Sequence, residues 1–281
     1  MMKQLCHEDV LKLLPDRLET AHKGDFGKLL LICGSECCTG APALASMGAL
    51  RSGAGLVYLA VPACIHAIEA NKLTEPVIFP LPHSNGLFTE SACNILQGLM
   101  EKADAVLVGP GMGRSKDIET IVTFVLNAFS GTVIVDADGI NALIAHKDIL
   151  RRRTAATIIT PHEGEFLRFG GNLEQGRAVG AMQMAEDLGC IVVLKGHNTM
   201  ITDGKTSYMN TTGNPGMATG GSGDVLAGII SALVGQGIDP LEAAAAGVWL
   251  HGAAGDICAQ TIGQYGMLPT DILSVLPRLL K

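Results

Sequence analysis

The chain has 281 residues, 48% of them hydrophobic, and a net charge of −7 with a pI near 5.6. It is long enough for one large α/β domain or two small ones, and its acidity argues against nucleic acid or an anionic membrane as partner. Aromatic residues make up only 4%, which argues against base stacking on aromatic platforms.

In chain order, residues 1–22 predict a short helical lead-in. This N-terminus has neither the long apolar core nor the small-residue cleavage site of a signal peptide, and no apolar run is long enough to span a membrane. A buried strand is expected at 28–33 (KLLLIC), then Gly34-Ser35 and a small-residue helix at 43–52. Further strands are expected at 56–61, 77–79, 105–108, 132–135, 157–160 and 191–194, with helices between them at 65–70, 89–100, 118–129, 141–150 and 177–188. Residues 80–86 read as a turn-rich loop, and 200–202 with 206–209 as a hairpin turning at Asp203-Gly204. The strand runs are short and apolar, without alternation, and helices separate them. That is the pattern of a mostly parallel sheet covered by helices on both faces. No linker or repeat interrupts it, so residues 1–281 read as a single domain.

None of the eight cysteines forms a C-x-x-C pair or a zinc spacing. Several, such as Cys33 and Cys190, fall in apolar runs. Reduced and mostly buried thiols in a cytoplasmic protein are expected.

The most informative stretch is Gly213-Asn214-Pro215-Gly216-Met217-Ala218-Thr219-Gly220-Gly221-Ser222-Gly223-Asp224. An apolar run over 225–234 and an alanine-rich helix over about 241–259 follow it. A helix apolar all round is a buried helix, and a glycine loop opening onto its N-terminus is an anion site suited to phosphate. Asp224 stands where loop becomes helix. It reads either as an N-cap or as a base beside a phosphate. The second is favoured, because a carboxylate among phosphate-directed amides makes electrostatic sense only if it handles a proton or a metal.

Five other polar or glycine motifs follow strands: Gly34-Ser35, Gly109 to Gly113, Asp136 to Asp138, Pro161 to Glu165, and Lys195-Gly196. In a parallel sheet all of them converge on the carboxyl edge, where ligands bind. No Walker loop, no G-x-G-x-x-G after the first strand and no G-x-S-x-G elbow is present.

The loop closing on G-x-G-D resembles the ribokinase-like superfamily. Within it the chain is similar to the NAD(P)H-hydrate dehydratases. The matching stretches are His22-Lys23-Gly24, Gly40-Ala41-Pro42-Ala43, Arg51 to Val57, Gly109 to Gly113, Asp136-Ala137-Asp138, Thr160 to Glu165, Lys195-Gly196 and Asn214 to Asp224, from about residue 22 to 260. The resemblance implies a ribokinase-like fold and a repair reaction. NADH or NADPH hydrated at C6 of the nicotinamide ring (NADHX, NADPHX) is phosphorylated on the 6-hydroxyl by ADP or ATP with Mg²⁺, ADP being favoured, and phosphate is then eliminated. Asp224 is implied as the base and as a substrate contact with Ala41, Gly113 and His162. Lys195, Gly196, His197, Asn198 and Thr199, with Gly221, Ser222 and Gly223, are implied as nucleotide contacts. His162 equally reads as a turn cap, and Lys195 as a solvated strand end. Glu165 is a water-mediated Mg²⁺ contact by analogy with the N-x-x-E motif of related kinases, although His162 replaces the Asn. Asp136 and Asp138 read either as metal or ribose contacts or as turn caps. Trp249 and His251 are expected in the core or at a subunit contact, and the small-residue run 243–247 fits a homo-oligomer, a tetramer being favoured. A separate NAD(P)H-hydrate epimerase is the implied partner. The competing readings are a small-molecule kinase of the hydroxymethylpyrimidine, thiazole or pyridoxal type and a non-catalytic nucleotide sensor, against which the intact Asp224 argues.

Overall fold

The computed structural model describes residues 2–280. Helix α1 (His7–Leu13) leads to β1 (Lys28–Ile32), α2 (Gly40–Arg51), β2 (Leu56–Pro62), α3 (His66–Lys72) and β3 (Val77–Leu81). A small hairpin of β4 (His83–Ser84) and β5 (Leu87–Phe88) precedes α4 (Cys93–Met100), β6 (Ala105–Val108), α5 (Lys116–Ala128) and β7 (Thr132–Val135). Then come α6 (Asp138–Ala142), α7 (Asp148–Arg152), β8 (Thr157–Ile159), α8 (Glu163–Arg168), α9 (Arg177–Leu188) and β9 (Ile191–Leu194). The chain closes with β10 (Thr199–Thr202), β11 (Ser207–Asn210), α10 (Ser222–Gly235), α11 (Pro240–Thr261) and α12 (Pro269–Val275).

Nine strands form one sheet in the order β11-β10-β9-β8-β7-β6-β1-β2-β3. Every pairing from β3 across to β9 is parallel, and β10 runs antiparallel to both neighbours. The two faces follow from the period-2 geometry of strands. Leu29, Leu31, Leu107, Ile134 and Val193 enter one apolar cluster with α2, α10 and α11. Leu30, Ile32, Val106, Val135 and Val192 enter the other with α4, α5 and α9. With both faces covered, the strands carry no polar face, which is why their sequences do not alternate.

Helix α10 is buried from Val225 through Val234 and packs tightly on α2. A Cβ on Gly228 would stand 2.1 Å from the Ala45 carbonyl oxygen, and one on Gly48 would stand 2.5 Å from that of Val225. The alanine run 243–246 is buried inside the chain, and a Cβ on Gly247 would meet Ile230 at 2.8 Å. Its small side chains therefore serve helix packing within the subunit rather than an oligomer contact. Trp249, half-buried, stacks on His7 at 5.3 Å.

Other expectations change. The helix expected at 141–150 is broken into α6 and α7. Between them i→i−3 bonds at Leu143, His146 and Ile149 tighten the chain into turns, a geometry that apolar periodicity does not reveal. Helices α8 and α12 were not expected; they have six and seven residues, too few to show a period. The expected loop at 80–86 continues β3 and then forms half of the β4–β5 hairpin. All eight cysteines are unpaired, but Cys6, Cys37, Cys38 and Cys64 are exposed, and only Cys33, Cys190 and Cys258 are buried. Among the described residues no helix is long and apolar enough to cross a membrane.

Gly228→Ala is expected to destabilise the fold by about 1–3 kcal/mol, because its methyl overpacks a helix pair in backbone contact. Denaturant unfolding checks this, with an unchanged midpoint as the contrary result.

Candidate active site

The site begins at the carboxyl end of β7. Asp136 is 1% exposed, and its Oδ1 accepts hydrogen bonds from Thr160 Oγ1 at 2.6 Å and from Lys195 Nζ at 2.9 Å. Lys195 closes β9 two strands away, and its amide bonds to the Pro161 carbonyl at 2.8 Å. Burial acts to lower the Lys195 pKa, but the carboxylates of Asp136, Glu165 and Asp224 outweigh it and hold the ammonium charged. Lys195 is thus half of a buried ion pair and not a solvated strand end.

Between Asp136 and Asp138, Ala137 takes φ 50° and ψ −115°, a region that side chains disfavour. Gly109 makes room for this turn: a Cβ there would lie 1.9 Å from the Asp136 carbonyl oxygen. The turn sends the Asp138 side chain to the next loop, where its Oδ2 accepts the Gly113 amide at 2.9 Å. Arg114 Nε lies 3.7 Å from its other oxygen. Asp138 therefore acts as a loop brace, while Asp136 anchors Lys195.

The glycine loop is tied to α11 by a residue that sequence reasoning missed. Asp256 accepts the Gly213 amide at 2.8 Å and the Asn214 amide group at 3.0 Å. The Asn214 Oδ1 accepts the Gly216 amide at 3.0 Å. An acid within the apolar, alanine-rich stretch was the available signal. Gly221 then caps α10 with φ 93°, and the first i→i−4 bond runs from the Val225 amide to the Gly221 carbonyl at 3.2 Å. The amides of Gly221, Gly223 and Asp224 precede that bond and have no intrahelical acceptor; Ser222 makes a long 3.4 Å bond to Thr219. Asp224 is the third residue of the helix, so the N-cap alternative does not hold. A Cβ on Gly223 would lie 3.3 Å from Lys195 Nζ and 4.0 Å from Asp136 Oδ2. The ion pair therefore lies directly beneath the first turn.

Burial, with the charges of Asp136 and Asp138 opposed by Lys195, pushes the Asp224 carboxyl up to about 7. Behind it, burial and then the Lys195 charge push His251 down to about 4, so the ring is neutral at pH 7 where it meets Ser222 Oγ at 3.3 Å.

His162 lies at the start of α8. Its Nδ1 accepts the Gly164 and Glu165 amides at 3.0 and 3.3 Å, and Glu165 Oε2 accepts the His162 amide at 2.9 Å. This reciprocal cap fixes the ring, with Nε2 3.6 Å from Glu165 Oε1. His162 caps the helix, and a ligand role rests on Nε2 alone. On the nucleotide side, Gly196 has φ 147° and Asn198 φ 56°, and Thr199 Oγ1 donates to the Gly196 carbonyl at 2.9 Å. His197 is exposed. Arg177, also unforeseen, donates to the carbonyls of Leu194 and Lys195 and pairs with Glu163. On the opposite side Ala41 is buried at the start of α2, 2.9 Å from where a Cβ on Gly111 would fall. The Gly34 amide bonds to the Pro110 carbonyl at 2.8 Å. The strand-end loops thus interlock: the Gly109 to Gly113 loop rests on Ala41 and on Asp138, and Lys195 lies under the first turn of α10.

Because the folded Asp224 value lies above the ordinary 3.8, its protonated form favours the fold. That contribution is complete below pH of about 4 and is lost as pH rises through about 7. Asp224→Asn is therefore expected to be more stable than the parent at pH 8, on the order of 4 kcal/mol, and equal to it near pH 4. Denaturant midpoints at both pH values check this; parallel stability curves would contradict it.

The sequence profile of the NAD(P)H-hydrate dehydratase family matches residues 29–278. The chain is 40% identical over 275 residues to the bifunctional NAD(P)H-hydrate repair enzyme Nnr of Moorella thermoacetica, covering 95% of this chain and 52% of that protein. It thus spans about half the length of the curated relatives it matches. Among solved structures it is similar to the ADP/ATP-dependent NAD(P)H-hydrate dehydratase of Bacillus subtilis, co-crystallised with ATP and Mg²⁺. The TM-score is 0.85 at 29% identity, over 99% of this chain and 97% of that one. A hydroxyethylthiazole kinase of Pyrococcus horikoshii shares the fold alone, with TM-score 0.62 at 15% identity over 92% of this chain and 91% of that one. A nine-stranded, mostly parallel sheet whose carboxyl edge carries a G-x-G-D helix start is the ribokinase-like architecture, and this chain belongs to the NAD(P)H-hydrate dehydratase family.

Proposed function

We propose that the chain removes water from C6-hydrated NADH and NADPH, with ADP or ATP as phosphoryl donor. The observation that carries this reading is Asp224. It is a carboxylate poised near neutrality, in the first turn of a helix whose leading amides are open to an anion. A base must lie near its working pH to take a proton effectively. Asp224 accepts the proton of the 6-hydroxyl as that oxygen attacks phosphorus. The amides of Gly221, Ser222 and Gly223 stabilise charge on the phosphoryl group in flight. The ring-nitrogen lone pair then expels phosphate as the C6–O bond breaks, and the resulting iminium loses its C5 proton to solvent, forming the C5–C6 double bond of the dihydronicotinamide. Hydroxide leaves poorly; phosphate leaves well.

The nucleotide contacts proposed are Lys195 to Thr199 with Gly221 to Gly223. The positive φ at Gly196 and Asn198 supports them, since it turns the backbone tightly beside the ion pair. The substrate contacts proposed are Ala41, Gly113, His162 through Nε2, and Asp224. Among the described residues no three metal-ligating side chains come together. A single carboxylate, Glu165, suits Mg²⁺, which binds through one or two carboxylates and substrate phosphates and otherwise keeps its waters. Glu165 through Oε1 is the proposed water-mediated contact; Asp136 is already committed to Lys195. Magnesium there would supply charge neutralisation on the phosphates. ADP remains the proposed donor of choice. A separate NAD(P)H-hydrate epimerase is the proposed companion of this dehydratase. A homo-oligomer, with a tetramer favoured, belongs to the same reading. Exposed Leu167, Val179 and Met182 on α8 and α9 support it, and sedimentation equilibrium tests it.

Hydrated NADH mixed with the protein, Mg²⁺ and ADP or ATP is expected to regain absorbance at 340 nm only when nucleotide is present. No recovery with either nucleotide would sink the proposal, and a stable phosphorylated alcohol from another substrate would favour the kinase reading. Asp224→Asn is expected to lower kcat by about 10³-fold while leaving nucleotide binding intact. In the parent, kcat/KM is expected to rise with pH and level off above about 7, because the free enzyme needs the carboxylate form. A profile flat from pH 5 to 9 would remove Asp224 as the base.

A further inference from the structure

Helix α3 has a single buried residue, and it is a carboxylate, Glu69. It is 0% exposed, while Ala67, Ile68, Ala70 and Asn71 around it are exposed. An amphipathic surface helix ordinarily buries an apolar residue there, so the charge needs a reason. One oxygen, Oε1, takes Lys72 Nζ at 3.1 Å. The other, Oε2, is buried with no hydrogen-bond partner among the described residues. Burial pushes the Glu69 carboxyl up, and Lys72 pulls it back. The pair does not end on itself. Lys72 Nζ also donates to the Thr39 carbonyl at 2.6 Å, and Thr39 is the residue that precedes α2.

The segment between β1 and α2 is tied to other loops by main-chain bonds near its start, Gly34 to the Pro110 carbonyl at 2.8 Å and Glu36 to the Gly86 carbonyl at 3.0 Å, while the Cys38 amide turns back on the Ser35 carbonyl at 3.0 Å within the segment. Gly34 itself has no room for a side chain, since a Cβ would come within 2.9 Å of Ile65, just ahead of α3. Lys72 supplies the tie at the far end, two residues before Ala41. A buried ion pair is rarely worth more to stability than an apolar pair of the same shape, but it fixes direction. Here the direction is set by Glu69, which aims the ammonium at one carbonyl.

We infer that Glu69 and Lys72 are positioning residues for the substrate end of the site: they latch the 34–39 segment so that Ala41 stays seated against the Gly109 to Gly113 loop. What the latch positions rests on the functional reading above; the latch itself does not. The test uses Glu69→Gln, Lys72→Met and Lys72→Arg in the full chain, with two readouts. In the first, KM for hydrated NADH is expected to rise by about tenfold in Lys72→Met, with a smaller rise in Glu69→Gln. KM for the nucleotide should stay within about twofold, and Lys72→Arg should recover most of the loss, since its guanidinium still reaches an acceptor. In the second, amide hydrogen exchange over residues 35–40 is expected to quicken in Lys72→Met and not in Lys72→Arg. Should Glu69→Gln fail to fold, Lys72→Met carries the test, because that side chain is 37% exposed. Equal changes in both KM values, or an unchanged exchange rate over 35–40, would overturn the latch. A parent protein that shows no turnover of hydrated NADH, yet whose variants quicken that exchange, would overturn the functional reading and leave the latch standing.

Discussion

The ion pair between Lys195 and Asp136 sets the geometry on which the site depends. It joins the ends of two strands that are separated in the sheet by β8, and it lies directly under the first turn of α10. Thr160, at the end of the intervening strand, closes the same carboxylate with a 2.6 Å bond. Three consecutive strand ends are thereby fastened through one buried group. Such a pair contributes little net stability, because desolvation consumes most of the Coulomb attraction, but removing either partner leaves an unpaired buried charge. Its consequence is electrostatic. Asp224 sits above a pair whose two charges nearly cancel, so burial prevails and its carboxyl is held near neutrality.

That arrangement places stability and reactivity in opposition. A carboxylate at the third position of a helix, beside free amides, would ordinarily be stabilised as the anion. Burial prevents this, with the charges of Asp136 and Asp138 adding to it against Lys195, and Asp138 is brought within range by the strained Ala137 turn. Local backbone strain at Ala137, a buried acid and helix-start amides without intrahelical acceptors all concentrate at one strand edge. The packing of α10 against α2 keeps the turn in place. Gly48 and Gly228 let the two backbones touch, so neither helix can slide without opening a void.

Much of this was legible in the residues. Unalternating apolar runs indicated the parallel sheet, and α9 and β9 fall where periodicity put them. The glycine loop indicated an anion site because glycine's conformational freedom and a helix start have few other joint uses. What was not legible has a physical reason in each case. His162 caps α8 through a ring nitrogen, an uncommon cap that no side-chain preference predicts. The 141–150 break lies in turn bonds, not in apolar spacing. Asp256 reaches the glycine loop across more than 40 residues of sequence, and no local pattern encodes such a contact. Alanines 243–246 looked available to a partner subunit because small residues suit any close helix contact, and only the fold shows that α10 already takes it.

The most direct test of the central claim, that Asp224 drives phosphoryl transfer to the 6-hydroxyl and that phosphate rather than hydroxide then leaves, follows the oxygen atom. Hydrated NADH labelled with ¹⁸O at the 6-hydroxyl would be turned over with ADP and Mg²⁺, and the products analysed by mass spectrometry. Breaking the C6–O bond after phosphorylation places the label in inorganic phosphate, which is the result expected. Label recovered in water, with none in phosphate, would mean that the 6-hydroxyl leaves without being phosphorylated, and would contradict the roles of Asp224 and of the amides that open its helix.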